Sequence, residues 1–225
     1  MFKIKICGIT SPTDIVRAVE FGADAIGLNF YTKSLRNVTD EEATKILAAI
    51  RENSESSGGQ VSTVGVFVNS TPKEIRQRTE LLQLSYVQLH GDEPVEMVSE
   101  LDGIPVIRAI RLQPGLNAAE TIDAANAEIE RWNNAGVSSV LLDAAAPGEF
   151  GGTGKRLDWE MVSQLTSPVP IILAGGLNAE NVSQAIATAS PAAVDVASGI
   201  ETFPGKKDET QMRQFIENAA ATFAG

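Results

Sequence analysis

The chain has 225 residues, of which 43% are hydrophobic and 21% charged, and its formal net charge is −11 at pH 7. This composition is typical of a soluble globular protein, and the acidity makes nucleic acid and anionic membranes unfavourable partners. No apolar run approaches the roughly 20 residues that span a bilayer, and the N-terminus lacks the pattern of a signal peptide. One cysteine and one histidine are too few for a disulfide or an ordinary zinc site. We therefore expect a cytoplasmic protein without a metal.

Eight apolar, β-rich runs alternate with amphipathic segments along the chain. The predicted strands are residues 2–7, 25–30, 61–68, 86–90, 105–110, 138–143, 169–175 and 192–197. Several are almost continuously apolar, which is typical of strands buried on both faces of a parallel sheet. Their number and the chain length predict a single α/β domain over residues 1–225, a (β/α)8 TIM barrel with outer helices. A doubly wound open sheet is the alternative, although "CGITSP" lacks its usual glycine pattern.

Helix start signals follow the first two predicted strands. Ser11 is the expected N-cap of a helix that has Pro12 in its first turn and stops at Gly22. Thr39, with Glu42 three residues later, is the capping box of the next helix. The polar stretch "NSESSGGQ" at 53–60 is predicted to be a loop on the face opposite the active site.

The single cysteine, Cys7, ends the first predicted strand. Free cysteines are most often small buried hydrophobic residues, which is the plain interpretation. In "KIKIC", however, Lys3, Lys5 and Cys7 alternate with Phe2 and two isoleucines, so the apolar face should meet the helices. Cys7 should then point into the barrel mouth above a lysine. Because a nearby cation lowers the pKa of a thiol, a Cys7 thiolate could act as a general base or a nucleophile.

Asp143 ends the sixth predicted strand, "SSVLLD". An aspartate there can simply cap a turn or a helix. In barrels, however, reacting groups lie at the C-terminal ends of strands, which places Asp143 at the mouth opposite the first strand. Partial burial against Leu141 and Leu142 would keep its carboxyl protonated long enough to act as a general acid. A thiolate and a carboxylic acid could together isomerise a substrate without a metal or redox cofactor.

Glycine-rich turns follow the last two predicted strands. Gly175 and Gly176 lie in "LAGGLN", and Ser198 and Gly199 lie in "VASGIETFPGKKD". Loops at these two positions form a phosphate site in many barrel enzymes, because glycines let backbone N–H groups approach phosphate oxygens. A third stretch, "PGEFGGTGK" at 147–155, lacks the spacing of a P-loop and is predicted to be a mobile lid.

Four further side chains are candidates at or just below the same mouth. Arg36, in the loop after the second strand, is either solvated or a ligand for a substrate carboxylate. His90, which ends the fourth strand, is either a hydrogen-bonded core residue or a supporting site residue. Closure of the barrel brings the last strand beside the first, and a buried lysine needs a partner. Lys5 is therefore predicted to pair with Asp195 below the site.

Several motifs match one family together and in order. They are "KICGIT", "VQLHG", "LLD" followed by "GGTG" and "DW", "LAGGLN", and "SGIE" followed by "PGKKD". From Lys3 to the last predicted helix the sequence resembles the phosphoribosylanthranilate isomerases of tryptophan biosynthesis. The resemblance implies a (β/α)8 barrel and a cofactor-free Amadori rearrangement. In that reaction N-(5-phosphoribosyl)anthranilate, an aminoaldose, becomes 1-(2-carboxyphenylamino)-1-deoxyribulose 5-phosphate, an aminoketose.

The resemblance also implies roles for individual residues. Cys7 would be the general base, Asp143 the general acid, and Arg36 a neighbour of the anthranilate carboxylate. Phosphate contacts are implied in the loops after the last three strands, at Gly154, Gly175, Gly176, Ser198 and Gly199. The phosphorylated sugar–anthranilate would be the small-molecule partner, without nucleic acid, membrane, metal or cofactor. Both a monomer and a homodimer stay open.

Two other functions stay open at this point. The related isomerase of histidine biosynthesis performs the same rearrangement with an aspartate where this chain has Cys7. That enzyme also needs a second phosphate site, and no glycine turn of that kind follows the third or fourth predicted strand. The second alternative is a non-catalytic barrel that binds a phosphate ligand, which single-turnover assays would separate from an enzyme. Metal-dependent epimerases of this fold need histidine ligands, of which this chain offers one.

Overall fold

A computed structural model describes residues 1–53 (only the backbone for 51–53), 61–101, 103–112, 117–144 and 157–225. Eight parallel strands form a closed barrel in chain order. They are β1 (Ile4–Cys7), β2 (Ala25–Asn29), β3 (Ser62–Phe67), β4 (Tyr86–Leu89), β5 (Val106–Leu112), β6 (Ser139–Ala144), β7 (Ile171–Leu173) and β8 (Ala193–Val196). The seam pairs Lys5 of β1 with Asp195 of β8. The closed barrel confirms the predicted fold and rules out the open sheet.

The helices lie outside the barrel. They are α1 (Pro12–Glu20), α2 (Asp40–Asn53), α3 (Pro72–Leu82), α4 (Met97–Glu100), α5 (Ala118–Asn134), α6 (Trp159–Val162), α7 (Val182–Ala189) and α8 (Glu209–Ala224). Both predicted start signals are confirmed, since Ser11 accepts the Asp14 N–H and the Thr39–Glu42 capping box is closed. No described helix is long and apolar enough to cross a membrane.

The predicted alternation of the first strand is wrong at its start. The strand begins at Ile4 rather than residue 2, and Phe2 belongs to the apolar cluster of inward-facing strand residues instead of meeting the helices. Its ring packs edge-to-face against that of Tyr86, with the two ring centres 5.6 Å apart. The Lys3 side chain points away and donates to the Phe223 carbonyl of α8. Packing of an apolar side chain into the lower end of the barrel thus outweighs the strict alternation of inward and outward side chains.

A short hairpin that the sequence patterns did not predict follows β8. After a single 3₁₀ turn at Ser198–Ile200, strands β9 (Glu201–Phe203) and β10 (Lys206–Lys207) pair antiparallel. Gly205 between them has a φ of +88°, a conformation that favours glycine. The Thr10 hydroxyl of the loop after β1 donates to the Gly205 carbonyl. The hairpin is thereby fixed beside the barrel mouth.

Candidate active site

The C-terminal ends of the strands surround a pocket of about 750 Å³, counting the space open to solvent. It brings together most of the predicted site residues, namely Cys7, Arg36, His90, Asp143, Gly175, Gly176, Asp195, Ser198 and Gly199. Lys5 lies one layer deeper in the barrel. Gly154, the predicted lid and most of the predicted loop at 53–60 lie outside the described residues. In the described part of the chain, no three His, Cys, Asp or Glu side chains converge as metal ligands do.

Cys7 and Lys5 lie on the inner face of β1. Lys5 is fully buried, and its Nζ donates to Asp195 Oδ1 at 2.8 Å, which confirms the predicted pair. Gly27 of β2 stands opposite Cys7 in the sheet register. A Cβ there would lie 2.8 Å from Cys7 Sγ and 3.1 Å from Lys5 Nζ. Glycine at this position therefore leaves room for the sulfur and the ammonium group side by side.

The acidity of Cys7 differs from the prediction. Burial and, to a smaller extent, the Asp195 charge raise the pKa of the Cys7 thiol, and the charges of Lys5 and Lys207 oppose that effect only in part. The expected net lowering of the thiol pKa by a neighbouring lysine is therefore wrong, because the sulfur is withdrawn from water. For Lys5, burial alone favours the neutral amine, but Asp195 and then Cys7 outweigh it and raise the pKa of Lys5. At neutral pH the free protein holds mainly a Cys7 thiol above a protonated lysine.

This balance predicts the titration of Cys7. We expect its thiolate to form with a midpoint above the ordinary thiol pKa of about 8.5. Burial of the neutral thiol then contributes fully to the free energy of unfolding below the pKa of Cys7 in the unfolded chain. This contribution is lost as the pH rises through the pKa of Cys7 in the folded protein. Cys7 is the only cysteine, so the ultraviolet difference between the protein and its Cys7→Ser variant reports this thiolate alone. A midpoint below the ordinary value would show that Lys5 dominates after all.

Asp143 lies near the end of β6 with its carboxyl facing the pocket. Its Oδ1 accepts the Ala144 N–H at 2.8 Å, and its Oδ2 lies 3.5 Å from His90 Nε2. On the other side of the imidazole, Gln88 Nε2 lies 2.9 Å from His90 Nδ1. An amide that donates to Nδ1 leaves the imidazole proton on Nε2, which faces Asp143. His90 is thus a neighbour of Asp143 rather than only a core residue.

Arg36 folds back over the turn that follows Cys7. A Cβ at Gly8, whose φ is +71°, would lie 2.5 Å from Arg36 Cδ, so a side chain at Gly8 would displace the arginine. Glu201 of β9 accepts from Arg36 Nε at 2.9 Å and from Nη2 at 2.7 Å. Arg36 Nη1 has no hydrogen-bond partner among the described residues, and the Arg36 side chain lines the pocket. It is available for an anionic group.

Sequence reasoning missed Glu201 and Lys207 as site residues. Both side chains are buried, and Lys207 donates to the Cys7 carbonyl at 2.6 Å. A signal was present, because "SGIE" and "PGKKD" place an acid and a lysine in the turn directly after the last barrel strand. Their pairing depends on the hairpin, which the strand patterns did not reveal.

The two glycine turns meet at the same edge of the pocket. Gly175 and Gly176 have φ values of +78° and +67°, and a Cβ at Gly175 would lie 3.1 Å from Asp143 Oδ1. A Cβ at Gly199 would collide with the Leu177 carbonyl, so the loops after β7 and β8 are packed backbone to backbone. Among the described residues, the N–H groups of Gly175 and Gly176 donate no hydrogen bond to the protein. Such free N–H groups suit an anion.

Comparison with known proteins identifies the family. A family model described as N-(5'phosphoribosyl)anthranilate (PRA) isomerase matches residues 4–218. The N-(5'-phosphoribosyl)anthranilate isomerase of Trichlorobacter lovleyi is 41% identical over 220 residues, 97% of this chain and 98% of its own. The crystal structure of the Thermotoga maritima enzyme aligns with a TM-score of 0.79 at 37% identity over 98% of this chain and 100% of its own.

A second solved structure carries a ligand. It is a phosphoribosyl anthranilate isomerase in complex with reduced 1-(o-carboxyphenylamino)-1-deoxyribulose 5-phosphate, with a TM-score of 0.76 and 36% identity. The alignment covers 98% of this chain and 100% of that one. The chain belongs to the N-(5'-phosphoribosyl)anthranilate isomerase family and is an isomerase of that family.

Proposed function

We propose that this isomerase converts N-(5-phosphoribosyl)anthranilate into 1-(2-carboxyphenylamino)-1-deoxyribulose 5-phosphate in tryptophan biosynthesis, with Cys7 as general base and Asp143 as general acid. The observation that carries the proposal is that these two side chains line one pocket together with an arginine and two glycine turns. A relative of the same fold binds a reduced form of this product. Substrate and product are isomers, so the reaction needs proton transfers and no net oxidation.

The first step opens the sugar ring. The Asp143 carboxyl gives its proton to the furanose oxygen, and the bond between that oxygen and C1′ breaks. The nitrogen lone pair of the anthranilate forms the C1′=N bond of a protonated Schiff base, and Asp143 is left as a carboxylate. The proton on His90 Nε2 would stabilise that carboxylate, since the nitrogen lies 3.5 Å from Asp143 Oδ2.

The second step moves a proton from C2′. The Cys7 thiolate, formed by loss of the thiol proton to solvent, removes it and becomes the thiol. The electron pair forms the C1′=C2′ bond of an enolamine, and the C1′=N electrons return to nitrogen. Tautomerisation of the enol then gives the C2′ ketone. The raised thiol pKa makes the thiolate rare in the free protein, yet a base of higher pKa is also a stronger one. The positive Schiff base formed beside Cys7, with Lys5 below, favours the thiolate when it is needed.

Binding of the substrate follows from the same pocket. Arg36 Nη1 would meet the anthranilate carboxylate in a charge-assisted hydrogen bond. The phosphate would be held by backbone groups of Gly154, Gly175, Gly176, Ser198 and Gly199. These fixed donors are needed because the net charge of −11 repels a dianionic phosphate. A dimeric relative from Thermotoga maritima is consistent with a homodimer, one of the two states expected from the sequence.

A fluorescence assay with freshly made N-(5-phosphoribosyl)anthranilate tests the proposed function. We expect the substrate signal to decay at a rate proportional to enzyme concentration, far faster than without protein. A single-turnover run with excess protein separates catalysis from a barrel that only binds, which would retain unconverted substrate. No acceleration, or turnover confined to the histidine-pathway substrate, would overturn the proposal.

Arg36→Met should mainly raise KM. Loss of a charge-assisted hydrogen bond costs about 1.5–3 kcal/mol, which is roughly a 10- to 100-fold rise in KM with little change in kcat. Arg17→Met is the matched control, because Arg17 lies on α1 and pairs with Glu20 at the surface. Steady-state kinetics of both variants decide the matter, and an unchanged KM for Arg36→Met would show that Arg36 serves only as the ion-pair partner of Glu201.

A further inference from the structure

A buried ionic network ties together the ends of three neighbouring barrel strands. The Lys207 ammonium donates to the Cys7 carbonyl of β1 at 2.6 Å, to the Ala197 carbonyl after β8 at 3.0 Å, and to Glu201 Oε1 at 2.8 Å. Its side chain is completely buried. Burial lowers the pKa of Lys207 and Glu201 opposes this, but three acceptors require all three N–H groups of the charged form. Lys207 therefore holds the β8–β1 seam just above the last ladder pair, Ile6 and Val196.

Glu201 connects this lysine to Arg36 in the loop after β2. Its carboxylate accepts from Lys207 and, in a fork, from Nε and Nη2 of Arg36. Burial alone would raise the pKa of Glu201, but the hydrogen bonds of Arg36 and the charge of Lys207 lower it overall, so Glu201 is ionised. Two cations then share one anion, which leaves one positive charge at the pocket wall. Among the cationic nitrogens of this network, only Arg36 Nη1 has no hydrogen-bond partner in the described residues.

We propose that Glu201 is a positioning residue that holds Arg36 in the one orientation in which Nη1 meets the carboxylate of the substrate. This inference rests on the proposed function. Lys207 anchors Glu201 to the backbone of Cys7, so the group that reads the carboxylate and the general base keep a fixed separation. The buried carboxylate thus acts on the substrate through Arg36, without touching it.

Glu201→Gln tests the proposal with two substrates. The variant keeps the side-chain volume but removes the charge and sets an amide N–H₂ against a donor. With N-(5-phosphoribosyl)anthranilate we expect KM to rise about tenfold or more while kcat stays within about threefold. With the phosphoribosyl derivative of aniline, which has no carboxylate, KM of the variant and of the unchanged protein should agree within about twofold, because nothing is left for Arg36 to bind.

Glu93→Gln is the matched structural control. Glu93 is also a buried carboxylate, and it accepts from Arg108 Nη1 at 2.6 Å. Arg108 lies on the outer face of β5, and its guanidinium carbon is 4.4 Å from the ring centre of Trp132 in α5. Neither Glu93 nor Arg108 lines the pocket. Both variants should lower the melting temperature, but only Glu201→Gln should change KM. A structural role of the Glu201 network alone would make the two variants behave alike.

A second variant covers a failure of Glu201→Gln to fold. Glu201→Asp keeps the charge for Lys207 but shortens the reach to Arg36, so it should show the same carboxylate-dependent rise in KM in a more stable protein. An unchanged KM, or an equal rise with both substrates, would overturn the positioning role. These results presuppose turnover by the unchanged protein. Its failure to convert phosphoribosylanthranilate would instead overturn the proposed function itself.

Discussion

Cys7→Ser should lower kcat by at least about a hundredfold while leaving the fold intact. Serine has nearly the size of cysteine and fits in the space that Gly27 leaves open beside Lys5 Nζ. Its hydroxyl is far less acidic than a thiol, so the base that removes the C2′ proton is lost. Steady-state turnover together with circular dichroism and thermal unfolding checks both parts of this expectation.

Ser139→Ala is a suitable control for Cys7→Ser. Like Cys7, Ser139 is a small buried side chain, but it lies on β6 and does not line the pocket. Its hydroxyl has no hydrogen-bond partner in the described structure. Its removal should leave kcat unchanged. Near-normal turnover by Cys7→Ser would reject the base role of Cys7.

Asp143→Asn should lose ring opening while it retains binding. Its amide oxygen can still accept the Ala144 N–H, but an amide has no acidic proton to give to the furanose oxygen. Loss of a general acid costs about 10²- to 10⁴-fold in rate. The affinity for the reduced product, measured by calorimetry, should change little, because that ligand requires no proton transfer.

Transient kinetics distinguish the two catalytic variants. In a single turnover Cys7→Ser should accumulate the ring-opened Schiff base, because its formation precedes removal of the C2′ proton. Asp143→Asn should retain the closed substrate and show no such absorbance. If Asp143→Asn formed product at the normal rate, another acid would be required, and the neighbouring His90 would be the first to examine.

The barrel and most of the pocket were predictable from local patterns. Nearly continuous apolar runs located all eight barrel strands, and parallel closure then placed Cys7, Asp143 and Arg36 at one mouth. The same reasoning paired Lys5 with Asp195 across the seam. The extent of the single domain, the lid and the catalytic and binding roles of the site residues stay predictions.

Other features depend on distances that no local pattern contains. The pKa of Cys7 is set by burial and the Asp195 charge, which raise it, against two lysines, which lower it. Only coordinates show that burial is the largest of these effects. Glu201 reaches Arg36 across 165 residues of sequence, through a hairpin too short to leave a strand pattern. Phe2 turns inward because the barrel interior must be filled.

A crystal structure of this protein with reduced 1-(2-carboxyphenylamino)-1-deoxyribulose 5-phosphate tests most directly whether Cys7 is the general base and Asp143 the general acid. The Cys7 sulfur should lie about 3.5 Å from C2′ on one side of the sugar chain, with the Asp143 carboxyl within about 3.2 Å of the former ring oxygen on the other. A ligand bound with either side chain out of reach, or with both approaching from one side, would contradict these roles.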